Sequence, residues 1–198
     1  MTNKITFYLA RHGQTEWNVE HRIQGQLNSK LTKVGRAQAQ TLATACLPVG
    51  ITHLLSSPLG RAMETAEICG QVLHLSVKSV IGFEERNFGL WQGKKITEVN
   101  TLPYYMEATT DITDFQPPQA ESAKEMLFRF ETALKKELKA AHNETSLMII
   151  HGDILRCFMD QFIEHTGGNK KMSNGFDYPN AQLIALSYDP ILDSFYKG

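Results

Sequence analysis

The chain is poor in cysteine, with three in 198 residues, at positions 46, 69 and 157. An odd, widely spaced set fits neither a disulfide framework nor a zinc pattern and reads as small buried thiols of a reducing compartment. No apolar run approaches the roughly 18 residues of a membrane-spanning helix. The opening stretch MTNKITFYLARHG is too short in apolar residues, and has no small-residue cleavage site, for a signal peptide. Neither charge is in real excess, because 20 Lys+Arg against 21 Asp+Glu leave a net charge of −1. No global field therefore argues for nucleic acid or an anionic membrane as partner. The expectation is a soluble cytoplasmic protein, with its oligomeric state left open. Positive charge is also missing locally. No Lys or Arg occurs between Lys95 and Lys124, an interval that carries Glu98, Glu107, Asp111, Asp114 and Glu121.

What is present is an alternation of short β-rich runs and helical patterns. ITFYLA (5–10), THLLSS (52–57), the weaker SVKSVIGF (76–83), SLMII (146–150) and AQLIALSY (181–188) read as strands. Helices are expected over 32–46, with Thr32 as N-cap, and over 58–74, with Ser57-Pro58 as cap and first turn. A helix over 122–142 has a capping box of Ser122 and Glu125 and an apolar stripe of Met126, Leu127, Phe130, Leu134 and Leu138. A further helix is expected over 154–165. Near-continuous apolar strands between helices predict an α/β fold with a mostly parallel sheet covered on both faces. The whole chain, 1–198, reads as one domain with an irregular flap at about 95–121 that ends in QPPQAE.

In open parallel sheets ligands bind beyond the carboxyl ends of the strands, so the residues that follow each strand are informative. They are Arg11-His12-Gly13 after the first, Arg61 past the second, Glu84-Glu85-Arg86 after the third and His151-Gly152 after the fourth. Each alone is commonplace. Together they bring two histidines, several arginines and a carboxylate pair to four neighbouring strand ends, where a solvated surface would scatter its charges.

Such a set can cage a tetrahedral dianion, with guanidiniums supplying paired donors. A neutral imidazole inside the cage can attack phosphorus and form a phosphohistidine, and adjacent positive charge keeps it unprotonated. A carboxylic acid nearby can protonate the leaving oxygen and then, as carboxylate, activate water. Gly13 and Gly152 would let backbone approach the ligand closely. This chemistry needs no metal and no cofactor. A metal hydrolase built on His12, His151 and Glu85 is disfavoured, because the arginines repel a cation and no compact ligand motif is present. A non-catalytic phosphate-binding module would be marked by loss of His12 or of both glutamates, and neither is lost.

RHGQTEWN, then RIQGQLNSKLTKVGRAQA, SSPLGRAMETA, EERNFGLWQG and IIHGDILR, resemble the histidine phosphatase superfamily, the phosphoglycerate mutase-like proteins, in that family's order from residue 8 to about 156. The resemblance implies a three-layer α/β/α fold. It implies His12 as phosphorylated nucleophile, with Arg11, Arg61 and His151 forming the phosphate pocket and Asn18 and Gln24 contacting phosphate. Glu85 matches the acid/base position better than Glu84, and in the mutase branch Arg86 would contact substrate.

The same cage can pass the phosphoryl group to water or to a phosphoglycerate. The acidic, lysine-free interval over the expected flap argues against a doubly anionic ligand. Tyr104, Tyr105, Met106 and Phe115 offer apolar surface to a leaving group there, or pack the flap down, while Lys94 and Lys95 stand at its base. The reading is a phosphatase of small phosphorylated metabolites, with a mutase as alternative. Asp153 either raises the pKa of His151 or caps helix 154–165, and the cap is the favoured role.

Overall fold

The computed structural model describes residues 4–141, 144–162 and 178–197. Six strands, β1 (Ile5–Arg11), β2 (His53–Ser56), β3 (Val77–Ser79), β4 (Ser146–Ile150), β5 (Ile184–Asp189) and β6 (Ser194–Lys197), form one sheet in the order β3-β2-β4-β1-β5-β6. β3, β2, β4 and β1 run parallel, whereas β5 and β6 join antiparallel at one edge. The helices are α1 (Glu16–Val19), α2 (Lys33–Cys46), α3 (Gly60–Leu73), α4 (Ile96–Val99), α5 (Tyr105–Thr110), α6 (Ala123–Ala140) and α7 (Gly152–Asp160).

The period of two along the strands divides the core between the two faces of the sheet. Phe7, Leu9, Leu55, Met148 and Ile150 pack with Phe130, Leu134 and Leu138 of α6 and Phe158 of α7. Their neighbours Ala10, Leu54, Leu147 and Ile149 pack with Leu42 and Ala43 of α2 and Ala62, Ala66 and Cys69 of α3. The result is the expected α/β sandwich of a mixed sheet between helical layers. All three cysteines are buried and free.

Several boundaries differ from the sequence reading for identifiable reasons. The third strand stops at Ser79, since Gly82 turns with φ +102 and a Cβ there would lie 2.7 Å from the Cβ of Ala133 on α6. The fifth begins at Ile184 because Ala181 donates its N–H to the Arg11 carbonyl at 2.8 Å and has φ 57. β6 escaped detection, as SFYK is short and only half-buried, with β5 as its partner. α3 starts at Gly60 without a cap from Ser57; instead Asn28 Oδ1 accepts the Arg61 N–H at 3.0 Å. Thr32 and the Ser122–Glu125 box do cap their helices. α7 begins at Gly152, earlier than expected, and residues 163–165 of the expected helix lie outside the described residues. The interval read as irregular contains α4 and α5.

Candidate active site

At the carboxyl ends of β1, β2 and β4 lies a cavity of about 490 Å³. Its wall contains Arg11, His12, Asn18, Gln24, Arg61, Glu85, Gly152 and Asp153. The lining also includes Arg22, Ile23, Gly25, Phe88, Ile96, Asn100, Tyr105, Met106 and Thr109.

His12 continues β1 for one residue, its N–H donating to Ile150 O at 3.0 Å, and Asn180 Nδ2 holds its carbonyl at 2.7 Å. Its Nδ1 stands 2.8 Å from the Gly13 carbonyl. A carbonyl can only accept, so Nδ1 carries the proton and Nε2 presents a lone pair. Arg61 Nε donates to that Nε2 at 3.1 Å. Burial, then Arg61 and Arg11, hold the pKa of His12 well below the usual histidine range, so the ring is neutral.

Arg61 is 1 % exposed and donates to the Gly25 carbonyl at 2.6 Å and the Leu27 carbonyl at 2.7 Å. Burial lowers its pKa to about 10, with Glu85 opposing. Arg11 donates to Tyr178 O at 3.1 Å. His151, the residue before α7, is not among the cavity-lining residues; its ring lies beside that of His12 with centroids 5.3 Å apart and Nε2 2.7 Å from Ser57 Oγ. Burial and the arginines depress its pKa too.

Glu85 is buried, and it acts as the cap of α7. Its Oε2 accepts the Asp153 N–H at 3.0 Å, and Oε1 accepts from Ile154 N at 3.3 Å and Arg86 N at 2.9 Å. Those bonds pull its pKa down, but burial and then the Asp153 charge outweigh them and raise it. The carboxyl is thus biased towards its protonated form while aligned by three fixed donors. Glu84 points elsewhere, accepting from Gly82 N at 2.6 Å. Arg129 of α6 clamps this loop from behind, donating to the carbonyls of Gly82, Glu84 and Glu85 at 3.0, 2.7 and 3.0 Å while paired with Glu121.

Three sequence-based assignments are corrected. Arg86 has no place in the cavity wall: fully buried, it donates to the carbonyls of Glu121, Ala108 and Phe115 and so ties residues 108–121 to the segment that follows β3. Gly13 is not among the cavity-lining residues: its N–H donates to Thr65 Oγ1 at 3.0 Å, and a Cβ there would lie 2.4 Å from the Gly35 carbonyl of α2. Asp153 is not a cap, because it sits inside the first turn of α7 and pairs with Arg156 at 2.7 Å. Nor does it raise the pKa of His151, which is lowered. Asn18 lines the cavity with Oδ1 already engaged by Thr15 N–H and Oγ at 3.0 Å, which leaves its NH₂ donors for a ligand. Gln24 lines it with a buried Oε1 that has no hydrogen-bond partner. Of the aromatic interval, Tyr105 and Met106 face the cavity, whereas Tyr104 and Phe115 stack on each other with centroids 5.3 Å apart.

Residues that sequence reasoning missed are Arg129, Asn28, Asn180, Ser57 and Arg156. All work through hydrogen bonds spanning long stretches of chain; Asn28, Ser57 and Arg156 lay within quoted motifs, but nothing local in those motifs announced these partners. Among the described residues no group of three or more His, Cys, Asp or Glu could hold a metal ion, and no helix is long and apolar enough to cross a membrane.

A neutral imidazole between two guanidiniums, with a buried carboxyl on the same wall of an α/β sheet, defines a phosphate-handling class of α/β protein. The comparisons make this specific: residues 7–191 match the family model of the histidine phosphatase superfamily, branch 1, and the chain belongs to that family. A relative from Proteus mirabilis, named probable phosphoglycerate mutase GpmB, is 39% identical over 157 residues, 78% of this chain and 73% of the relative. Among solved structures, a mycobacterial glucosyl-3-phosphoglycerate phosphatase complexed with VO3 superimposes with a TM-score of 0.79 at 26% identity, covering 92% of each chain. Bacillus stearothermophilus YhfR gives 0.81 at 26% identity, covering 98% of this chain and 95% of that one.

Proposed function

We propose that the protein is a metal-independent phosphohydrolase of small phosphate monoesters that works through a phosphohistidine on His12. The observation that carries this is the tautomer of His12. With Nδ1–H tied to the Gly13 carbonyl, Nε2 is the nucleophilic atom and its lone pair lies among the arginines of the cavity. When a phosphate enters, Arg61 Nε–H transfers from His12 to a phosphate oxygen, which frees the lone pair. The Nε2–P bond forms as the P–O bond to the alcohol breaks, and Glu85 gives its proton to the departing oxygen. In the second half Glu85, now a carboxylate, takes a proton from water while the water oxygen bonds to phosphorus. The P–N bond breaks, phosphate leaves, and both residues return to their starting forms. Arg11, Arg61 and the Asn18 amide balance the equatorial oxygens.

Residues 96–121 contribute Ile96, Asn100, Tyr105, Met106 and Thr109 to the cavity, none of them charged. That supports water rather than a second anionic ligand as acceptor. The names of the curated relatives favour a second reading, a phosphoglycerate mutase using the same histidine. The deciding experiment is a panel of phosphate monoesters assayed beside 3-phosphoglycerate, with and without its bisphosphate activator. Release of phosphate that survives a chelator and disappears in His12→Ala is the expected result. Dominant mutase turnover would establish the second reading, and activity retained by His12→Ala would overturn both.

A further inference from the structure

The arginine that touches the nucleophile and the buried carboxyl come from parts of the chain that meet at one exposed residue, Gln26. Besides Nε on His12, Arg61 donates NH1 to the Leu27 carbonyl at 2.7 Å and NH2 to the Gly25 carbonyl at 2.6 Å, and its backbone N–H goes to Asn28 Oδ1. Residues 25–28 therefore wrap that guanidinium, and Gln26 stands between the two carbonyls. Its Nε2 donates to the carbonyl of Glu85 at 3.1 Å, and its own N–H donates to Gln92 Oε1 at 2.7 Å. Gly25 leaves room for this contact: its φ of +53 is left-handed, and a Cβ there would fall 2.1 Å from Gln92 Oε1. The Glu85 carbonyl takes a second bond, from Arg129 NH2 at 3.0 Å, which fills the two lone pairs it has to offer.

We infer that Gln26, seated by Gln92, is a positioning residue that fixes the Glu85 carboxyl relative to the phosphate held by Arg61, an assignment that rests on the proposed hydrolysis through His12. Gln26 does not line the cavity, so it acts through the backbone of Glu85 and not on the substrate. The carboxyl of Glu85 is held by the N–H groups of Arg86, Asp153 and Ile154, and its carbonyl by Gln26 and Arg129. Of these donors Gln26 alone belongs to the segment that wraps Arg61. Without it the acid keeps its other anchors but loses its tie to that arginine. Proton transfer then suffers more than phosphate binding, because it demands hydrogen-bond reach between acid and leaving oxygen.

Rates on propyl phosphate and p-nitrophenyl phosphate test the assignment. Gln26→Ala should lower kcat/KM on propyl phosphate about 10- to 100-fold, the cost of a misplaced catalytic group. On p-nitrophenyl phosphate it should lower kcat/KM far less, since that leaving group departs without a proton. Gln26→Glu keeps the shape and loses the donor, so it should fall as far as the Ala variant. Gln92→Ala should follow, whereas Gln92→Glu keeps an oxygen for the Gln26 N–H and should hold most of the activity. In a Glu85→Gln background, Gln26→Ala should cost nothing further on propyl phosphate, the non-additivity of two residues that act as one. Each comparison is a ratio between esters or between backgrounds, so a general loss of packing does not imitate the pattern. Equal losses on both esters, a fully active Gln26→Glu, or a loss undiminished in the Glu85→Gln background would overturn the inference and leave the phosphohistidine reading intact. A wild-type protein inactive on both esters, or activity that survives His12→Ala, would remove that reading and this inference with it.

Discussion

Replacing Glu85 with Gln removes one proton from the site and little else, and its consequences depend on the leaving group. The carboxyl accepts three backbone N–H bonds, from Arg86, Asp153 and Ile154. An amide can keep the pair on one oxygen, but its NH₂ must then face the Asp153 N–H that now sits 3.0 Å from Oε2. That donor–donor conflict costs about 1–3 kcal/mol of stability, a Tm drop that calorimetry resolves. The kinetic effect should be larger. Loss of a positioned general acid costs about 10²- to 10⁴-fold, equivalent to ~2.7–5.4 kcal/mol at 1.36 kcal/mol per decade. An alkyl alkoxide needs that proton as the P–O bond breaks, whereas p-nitrophenolate leaves unaided. For Glu85→Gln, kcat/KM on an alkyl phosphate should therefore fall by the full factor and on p-nitrophenyl phosphate by much less. Water attack has lost its base as well, so the aryl ester should give a burst of p-nitrophenolate followed by slow turnover, with acid-labile phosphate on the protein. Equal losses of kcat/KM on both esters, with no burst, would refute the assignment of Glu85 as proton donor.

Two further outcomes follow from packing and from charge. Gly35→Ala should cost about 3 kcal/mol or more, because the new Cβ would lie 2.1 Å from the Gln14 carbonyl, rigid backbone next to His12, and overpacking against backbone has no cheap relaxation; chemical denaturation checks this, and a change within error would show that α2 can slide. Stability should also fall as pH drops below about 6.5, where the unfolded chain takes up protons that the buried, depressed His12 and His151 refuse until lower pH. The slope reaches about 1.4 kcal/mol per pH unit for each ring. Glu85, with its pKa raised, works in the opposite sense: its contribution is complete below the unfolded carboxyl pKa and is lost as pH rises through the folded one. Thermal melts between pH 7 and 5 should show a net decrease, smaller in His151→Gln; a flat profile would mean that the native and unfolded states take up protons equally over this range.

How far the site was legible depends on what kind of interaction makes each part. Strand ends carried most of it, because apolar runs such as SLMII announce where a parallel strand stops and the chemistry follows within two residues. Motif order added which histidine and which glutamate, and the geometry places Glu85 in the wall with Glu84 turned onto Gly82. The direction in which a side chain points was not legible. Arg86 stands in the expected segment, yet the chain folds residues 108–121 over it, and its donors close on three carbonyls of that segment. No local pattern announces this, because those carbonyls lie 22 to 35 residues away. Asp153 was misjudged by the opposite route, from a local rule too readily applied. A carboxylate near a helix start suggests a cap, but α7 is capped by Glu85, 68 residues earlier in the chain, which releases Asp153 to face the cavity. The two errors share one cause: the helix ends at this site are satisfied by distant parts of the chain. Arg86 closes the carbonyl end of α5 and Glu85 the amide end of α7, so the acid, the cover over the cavity and the helix that presents Asp153 are fixed to one another. A substitution in any of the three should therefore be felt in the others, and substrate preference should shift together with the pH dependence of catalysis.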